Sequence, residues 1–280
     1  MNTTKPVLQL IKARVSCRTY DPQPIPPAIL SEFSSWITAM NAQTKSQIRF
    51  VLMTSLEQSD QKPVKLGSYG ILSGAHTYLV LISHATKGNA LELGYLGEKI
   101  VLKAADLDLG TVWLGGTFNR ADFQKNAKLG PDEEIALVIP VGIAKARRSL
   151  IDSAMRLGAG SANRKPWETL FFNKTVDTPL SREEAGRYAE VLDMVRLGPS
   201  ASNKQPWRIV KDGLRFHLYL ERTPGYSRMM SYDLQLNDIG IAQCHFELSA
   251  AELDLKGSWI LEDPHLSDTW TYCMTWLIQN

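Results

Sequence analysis
The sequence predicts an α+β fold of two pseudo-symmetric α/β halves in one chain, and three observations carry that expectation. LKAADLDLGTVWL at Leu102 to Leu114 matches LSAAELDLKGSWI at Leu248 to Ile260 without a gap, 146 residues further on. At the same offset Glu92-Leu93-Gly94 faces Asp238-Ile239-Gly240, and at a shifted one KSQIRFV from Lys45 resembles KQPWRIV from Lys204. Around both copies the elements follow in one order: helix, polar loop, short apolar strands, long helix. AAxLxL alone recurs by chance in helical proteins, so the shared order is what favours duplication. The halves are expected at residues 1–150 and 151–280.

Taken along the chain, Lys5 to Ala13 carries Val7, Leu8, Leu10 and Ile11 in one helical stripe and runs into the turn-rich RVSCRTYDPQPIPP. A second helix starts near Pro27, a residue suited to the first turn, and repeats Ile29, Leu30, Phe33, Trp36 and Ile37 at helical spacing. Ile48 to Met53 and Tyr78 to Ser83 read as strands, the second without alternation, as a strand covered on both faces requires. Asn89 to Leu109 is the central helix, with Leu93, Leu96, Ile100 and Ala104 on one face and Gly110 as its terminator. There follow a strand-like TVWL, a turn at Gly115 and Gly116, a short helix near Ala121 and a strand from Ile135 to Val141. KARRSLIDSAMRLGAGSANRKPW, from Lys145, reads as a linker or surface crossover. The second half gives a helix from Arg182 to Arg196, the loop LGPSASNKQPW, strands at Trp207 to Lys211 and Leu214 to Leu220, and a long helix from Leu234 to Leu253.

Composition narrows the function classes. With 44% hydrophobic and 21% charged residues the chain should fold throughout, and Lys plus Arg at 31 against Asp plus Glu at 29 leaves no basic field for nucleic acid or membranes. A small-molecule partner is expected. Cys17, Cys244 and Cys273 are odd in number and lack CxxC spacing, which fits a reducing cytoplasm rather than disulfides or structural zinc. The N-terminal residues lack a secretory pattern, and no apolar run reaches membrane-spanning length. None of His76, His84, His217, His245 and His265 sits at a ligand spacing, so no metal site is expected. GAGSAN at Gly158 follows no apolar strand and lacks a third glycine, which argues against a dinucleotide fingerprint.

Three loops could carry chemistry. In R-V-S-C-R-T-Y, an extended backbone would aim Arg14, Ser16 and Arg18 one way, a geometry suited to a phosphate; a solvated basic helix end is the alternative. In P-S-A-S-N-K-Q-P-W, Ser200, Ser202, Asn203 and Gln205 both donate and accept, as a heteroaromatic edge or a ribityl chain requires; an ordinary turn-rich connection would look the same. In W-L-G-G-T, Gly115 and Gly116 would let a ligand ring reach bare backbone, or simply make a tight turn. Lys145, Arg147, Arg148, Arg164 and Lys165 could complete a phosphate clamp or remain solvated. Cys17, between two arginines, is a weaker candidate for a redox thiol than for a small half-buried residue.

Together these motifs resemble the flavin-dependent nitroreductase family, whose members show R-x-S-x-R-x-F/Y, P-S-x-x-N-x-Q-P-W and a helix running into L-G-T-x-W-x-G-G. The resemblance implies the nitroreductase fold, bound FMN, NADH or NADPH as co-substrate, and nitroaromatic or quinone-like acceptors. Such proteins are normally homodimers with FMN between subunits. Here the arginine loop is intact only in the first half, its counterpart reading FFNKTVDT, and the serine–asparagine loop only in the second, its counterpart reading MNAQTKSQIRF. The resemblance therefore implies a fused pseudo-dimer with one FMN site, complete in a monomer. It places Arg14, Ser16 and Arg164 at the phosphate, Arg18 at the pyrimidine edge, Ser200, Ser202, Asn203 and Gln205 reaching across from the second half, and Gly115 and Gly116 near the flavin N5. No protein catalytic nucleophile is expected. The alternatives are a flavin or nucleotide binder without turnover and a purely structural pseudo-dimer.

Overall fold
A computed structural model describes residues 2–54, 72–86, 88–116, 118, 120–145, 163–226 and 232–279. Helices α1 (Val7–Ala13) and α2 (Pro27–Asn41) precede strands β1 (Ile48–Thr54) and β2 (Thr77–His84); helix α3 (Ala90–Asp106) leads into β3 (Leu109–Thr111), α4 (Arg120–Ala127) and β4 (Glu133–Ile143). The four strands form an antiparallel sheet in the order β1-β2-β4-β3. After residue 163 come β5 (Phe171–Asn173), α5 (Arg182–Ala185), α6 (Tyr188–Arg196), β6 (Trp207–Asp212), β7 (Arg215–Leu220), α7 (Leu234–Glu252), β8 (Gly257–Ile260) and β9 (Thr271–Ile278). They form a second sheet in the order β5-β6-β7-β9-β8, with β5 parallel to β6 and every other pair antiparallel. Without β5 the two sheets have the same order: hairpin, last strand, then the short strand that follows the long helix.

β2 is buried along its length because each face has its own cover. Leu79 and Leu81 join the core beneath α2 and α3, while Tyr78, Val80 and Ile82 pack with Phe118 and Phe123 of the α4 region. That two-sided cover removes the polar alternation, as expected.

The sequence repeat is a repeat of geometry. Leu107 and Leu253 cap α3 and α7 with near-identical backbones, and the next residues, Asp108 and Asp254, are left-handed at φ 59° and 54°. α3 and α7 cross where Gly94 and Gly240 let backbone meet backbone. A Cβ on Gly94 would stand 2.0 Å from the Asn237 carbonyl oxygen, and one on Gly240 would stand 2.0 Å from that of Leu91. Leu91 and Asn237 are themselves 146 residues apart, so the crossing is reciprocal, as an isologous interface must be.

α1 lies across the ends of both long helices. The Asp106 carboxylate accepts from the Thr4 amide at 2.9 Å, the Thr4 hydroxyl at 2.8 Å and the Lys5 amide at 3.0 Å. Its repeat partner Glu252 accepts from the amides of Val7 and Leu8. Leu102 and Leu248, also repeat partners, sit beneath Val7, Leu8, Leu10 and Ile11. Burial alone would raise the Asp106 pKa, but the hydrogen bonds from Thr4, Lys5 and Lys103 hold it at about 2. A depressed carboxylate pKa stabilises the fold above its unfolded value. Asp106→Asn is accordingly expected to cost about 2 kcal/mol at pH 7, a gap that closes as pH falls from about 4 toward 2; urea unfolding of both proteins across that range checks it.

The structure corrects several element boundaries. Gly110 does not end the central helix: the chain turns at left-handed Asp108, and Gly110 lies in β3, where a Cβ would come within 2.9 Å of the Cys17 side chain. The strand read at TVWL therefore starts two residues earlier, at Leu109, and only Leu114 bridges back to Val138. The helix read from Arg182 to Arg196 is two helices, because Gly186 takes φ 58° and ψ −135°, a conformation open essentially to glycine alone. β5 and β9 have no counterpart in the sequence reading. Arg147, Arg148 and most of the expected linker, with the boundary at 150, lie outside the described residues.

Candidate functional site
Arg14 caps α1 in an extended conformation, and residues 14–20 continue as an irregular strand beside β3. Ser16 bridges Thr111, the Cys17 amide donates to the Thr111 carbonyl at 2.8 Å, and the Lys145 amide donates to the Thr19 carbonyl at 3.1 Å. Cys17 packs against Gly110.

The loop from Ser200 to Gln205 is wound tightly. Ser202, Asn203 and Gln205 all have positive φ, at 49°, 54° and 47°, a cost of about 1 kcal/mol each that surrounding bonds must offset. Those bonds are specific. The Gln205 amide donates to Ser200 Oγ at 2.9 Å, Gln205 Oε1 accepts from the Lys165 amide at 2.8 Å, and Asn203 Nδ2 donates to the Asn163 carbonyl at 2.8 Å. The buried Asp238 carboxylate accepts from the Ala201 amide at 3.1 Å, and burial pushes its pKa well above the usual carboxylate range. Its repeat partner Glu92 binds the Ser46 amide at 2.9 Å, so each long helix anchors the corresponding loop of its own half. Ser202 differs from its neighbours: its hydroxyl is exposed and meets the Tyr226 hydroxyl at 3.1 Å.

Arg14 and Arg164 lie near enough for the charge of the first to act on the second. Arg164 Nη1 donates to Asn203 Oδ1 at 3.1 Å and Nη2 to the Leu197 carbonyl at 3.0 Å. Burial, together with the charges of Arg14 and Arg196, lowers the Arg164 pKa to about 10. Arg14, its side chain 6% exposed, has Nε 3.8 Å from Glu98 Oε1. Glu98 also accepts from Trp113 Nε1 at 2.9 Å and lies 3.0 Å from His245 Nε2. Gly115 faces Leu234 at the start of α7, where a Cβ would stand 3.0 Å from the leucine methyls, while Gly116 is exposed. Arg164, Asn203 and Gln205 thus form one hydrogen-bonded group, and Arg14 of the first half lies near enough for its charge to act on Arg164. Gly115 abuts an apolar residue, and the Arg18 carbonyl accepts from the Ser73 amide at 3.0 Å.

A family model described as "Putative TM nitroreductase" matches residues 6–250. The chain belongs to this nitroreductase family. Among solved structures this nitroreductase-family chain is similar to a protein of Thermotoga maritima MSB8 described as a "putative nitroreductase". Identity is 18%, with 99% of this chain and 95% of that one covered and a TM-score of 0.58, a likeness of fold. It is also similar to an FMN-dependent nitroreductase of Clostridium difficile R20291, at 16% identity, covering 50% of this chain and 88% of that one, with a TM-score of 0.39. No curated protein matches. Among the described residues of this nitroreductase-family member, no helix is long and apolar enough to cross a membrane.

Two residues at this site escaped the sequence reading. His245, like the other histidines, lacks ligand spacing, and Glu98 stands inside the central helix. The available signal was a charged residue on the apolar stripe of α3, between Leu96 and Ile100. Nothing in the sequence of this nitroreductase-family chain paired it with His245, 147 positions away.

Proposed function
We propose that this chain is an FMN-dependent oxidoreductase with one flavin site between its halves, reduced by NADH or NADPH and passing electrons to nitroaromatic or quinone-like acceptors. The observation that carries the reading is the pair Arg14 and Arg164, one from each half: the Arg14 side chain is nearly buried, Arg164 is half-buried, and burial together with the charge of Arg14 depresses the Arg164 pKa. Such a pair repels itself in the absence of an anion and gains most from a phosphate, which both guanidiniums can grip with paired N–H bonds. The donor set fits the phosphate end of FMN. Bound FMN would supply two-electron transfer between the nicotinamide and the acceptor.

The chain's own residues bind and orient. Arg14, Arg164 and Ser16 would hold the phosphate; the Asn203 side chain and the Leu197 carbonyl keep Arg164 in place. Arg18 would bring positive charge to the pyrimidine edge. Ser200 and Ser202 would offer hydroxyls from the second half, Gln205 braces their loop, and Gly115 and Gly116 would offer backbone N–H groups to the ring. With halves at residues 1–150 and 151–280 supplying the two sides, a monomer contains the whole site.

An absorbance spectrum of the purified protein with added FMN, followed by anaerobic NADH or NADPH, tests this. One flavin per chain that bleaches on nicotinamide addition is the expected result, and no bindable flavin would overturn it. Flavin that binds but stays oxidised would instead identify a binding protein without turnover. That second reading is favoured by one feature: Asn203 and Gln205 already spend their side chains on protein partners.

A further inference from the structure
Glu98 on α3 and His245 on α7 are both 0% exposed, with Oε1 and Nε2 3.0 Å apart. His245 Nδ1 stands 2.8 Å from the Met194 carbonyl oxygen. A carbonyl only accepts, so Nδ1 carries a hydrogen. Two bare lone pairs at 3.0 Å would repel, so a second proton lies between Nε2 and Oε1. The pair is imidazolium with carboxylate or imidazole with carboxylic acid, and its net charge is zero in both forms.

This pair touches the supports of both arginines. Oε1 is 3.8 Å from Arg14 Nε, and the other oxygen accepts from Trp113, which leads into Gly115 and Gly116. On the far side, the Met194 carbonyl that receives His245 and the Leu197 carbonyl that receives Arg164 belong to the same last turn of α6. Without the shared proton, a bare carboxylate would stand beside Arg14 in a buried setting and cancel much of its attraction for an anion.

We propose that Glu98 and His245, sharing one proton between the two halves, are specificity-determining residues that keep the arginine pair cationic enough to select a phosphorylated flavin over its unphosphorylated form. The inference rests on the FMN reading, and two substitutions separate the charge states. Glu98→Gln keeps an acceptor for Trp113, gives an amide N–H to His245 Nε2 and stays neutral. His245→Gln donates to Glu98 but has no proton to share, leaving the carboxylate charged.

Dissociation constants for FMN and for riboflavin at pH 7.5 are the measurement, with thermal unfolding to confirm folding. The ratio of riboflavin to FMN constants should agree within about threefold between wild type and Glu98→Gln, and fall at least about tenfold in His245→Gln through FMN alone. Equal ratios in the two variants, or a parallel loss of both flavins, would overturn the inference. So would a wild-type ratio that matches His245→Gln rather than Glu98→Gln. Should His245→Gln fail to fold, His245→Asn creates the same charge state. Wild-type protein that binds neither flavin would overturn the FMN reading itself, a result distinct from all of these.

Discussion

Gly240→Ala is expected to lower the free energy of unfolding by more than about 3 kcal/mol, at the upper end of overpacking effects. The new methyl would stand 2.0 Å from the Leu91 carbonyl oxygen and 2.6 Å from the Tyr95 amide nitrogen. Both are backbone atoms of a packed helix, so neither can turn aside as a side chain would. Relief requires α3 and α7 to move apart, which loosens the cores of both halves at once, because Leu93 and Leu96 belong to one core and Ile239 and Ala242 to the other. Gly94→Ala should do similar damage through the Asn237 carbonyl. The two changes act on one crossing, so the double variant should lose clearly less than the sum of the singles. Urea unfolding of the three variants decides it, and a loss below about 1 kcal/mol for each single would contradict so close a crossing.

Arg14→Ala is expected to weaken FMN binding by at least about a hundredfold, the value of a buried charge-assisted phosphate contact, while riboflavin affinity changes by less than about threefold. Arg14→Lys should recover only part of the loss, since an ammonium cannot present the paired N–H groups of a guanidinium. Fluorescence titration with both flavins separates a phosphate contact from general damage to the fold. Equal weakening of the two would place Arg14 outside the phosphate end and return it to the alternative of a basic residue closing α1. The alanine variant also removes one of the charges that lower the Arg164 pKa from its ordinary value to about 10, so Arg164 should become more basic.

Much of the architecture was written in local pattern. The helical stripes of α1 and α2, the unbroken apolar run of β2 and the repeat at the ends of α3 and α7 depend on neighbours in the chain. The repeat is legible because a helix end, a left-handed aspartate and a short strand all follow from residues within a few positions of one another. The arginine and serine–asparagine loops were legible for the same reason: each keeps its polar residues within seven positions.

Tertiary structure alone decided what lies between the halves. The repeated glycines at 94 and 240 were visible as a match, but their closeness to Asn237 and Leu91 comes from how two helices cross. Gly110 looked like a helix terminator because glycine so often is one; Asp108 makes the turn instead, and the absent side chain at 110 leaves room for Cys17. The pairing of Glu98 with His245 and the approach of Arg14 to Arg164 join residues about 150 positions apart. No periodicity encodes such contacts, since the energy of a buried charge depends on what folding places beside it.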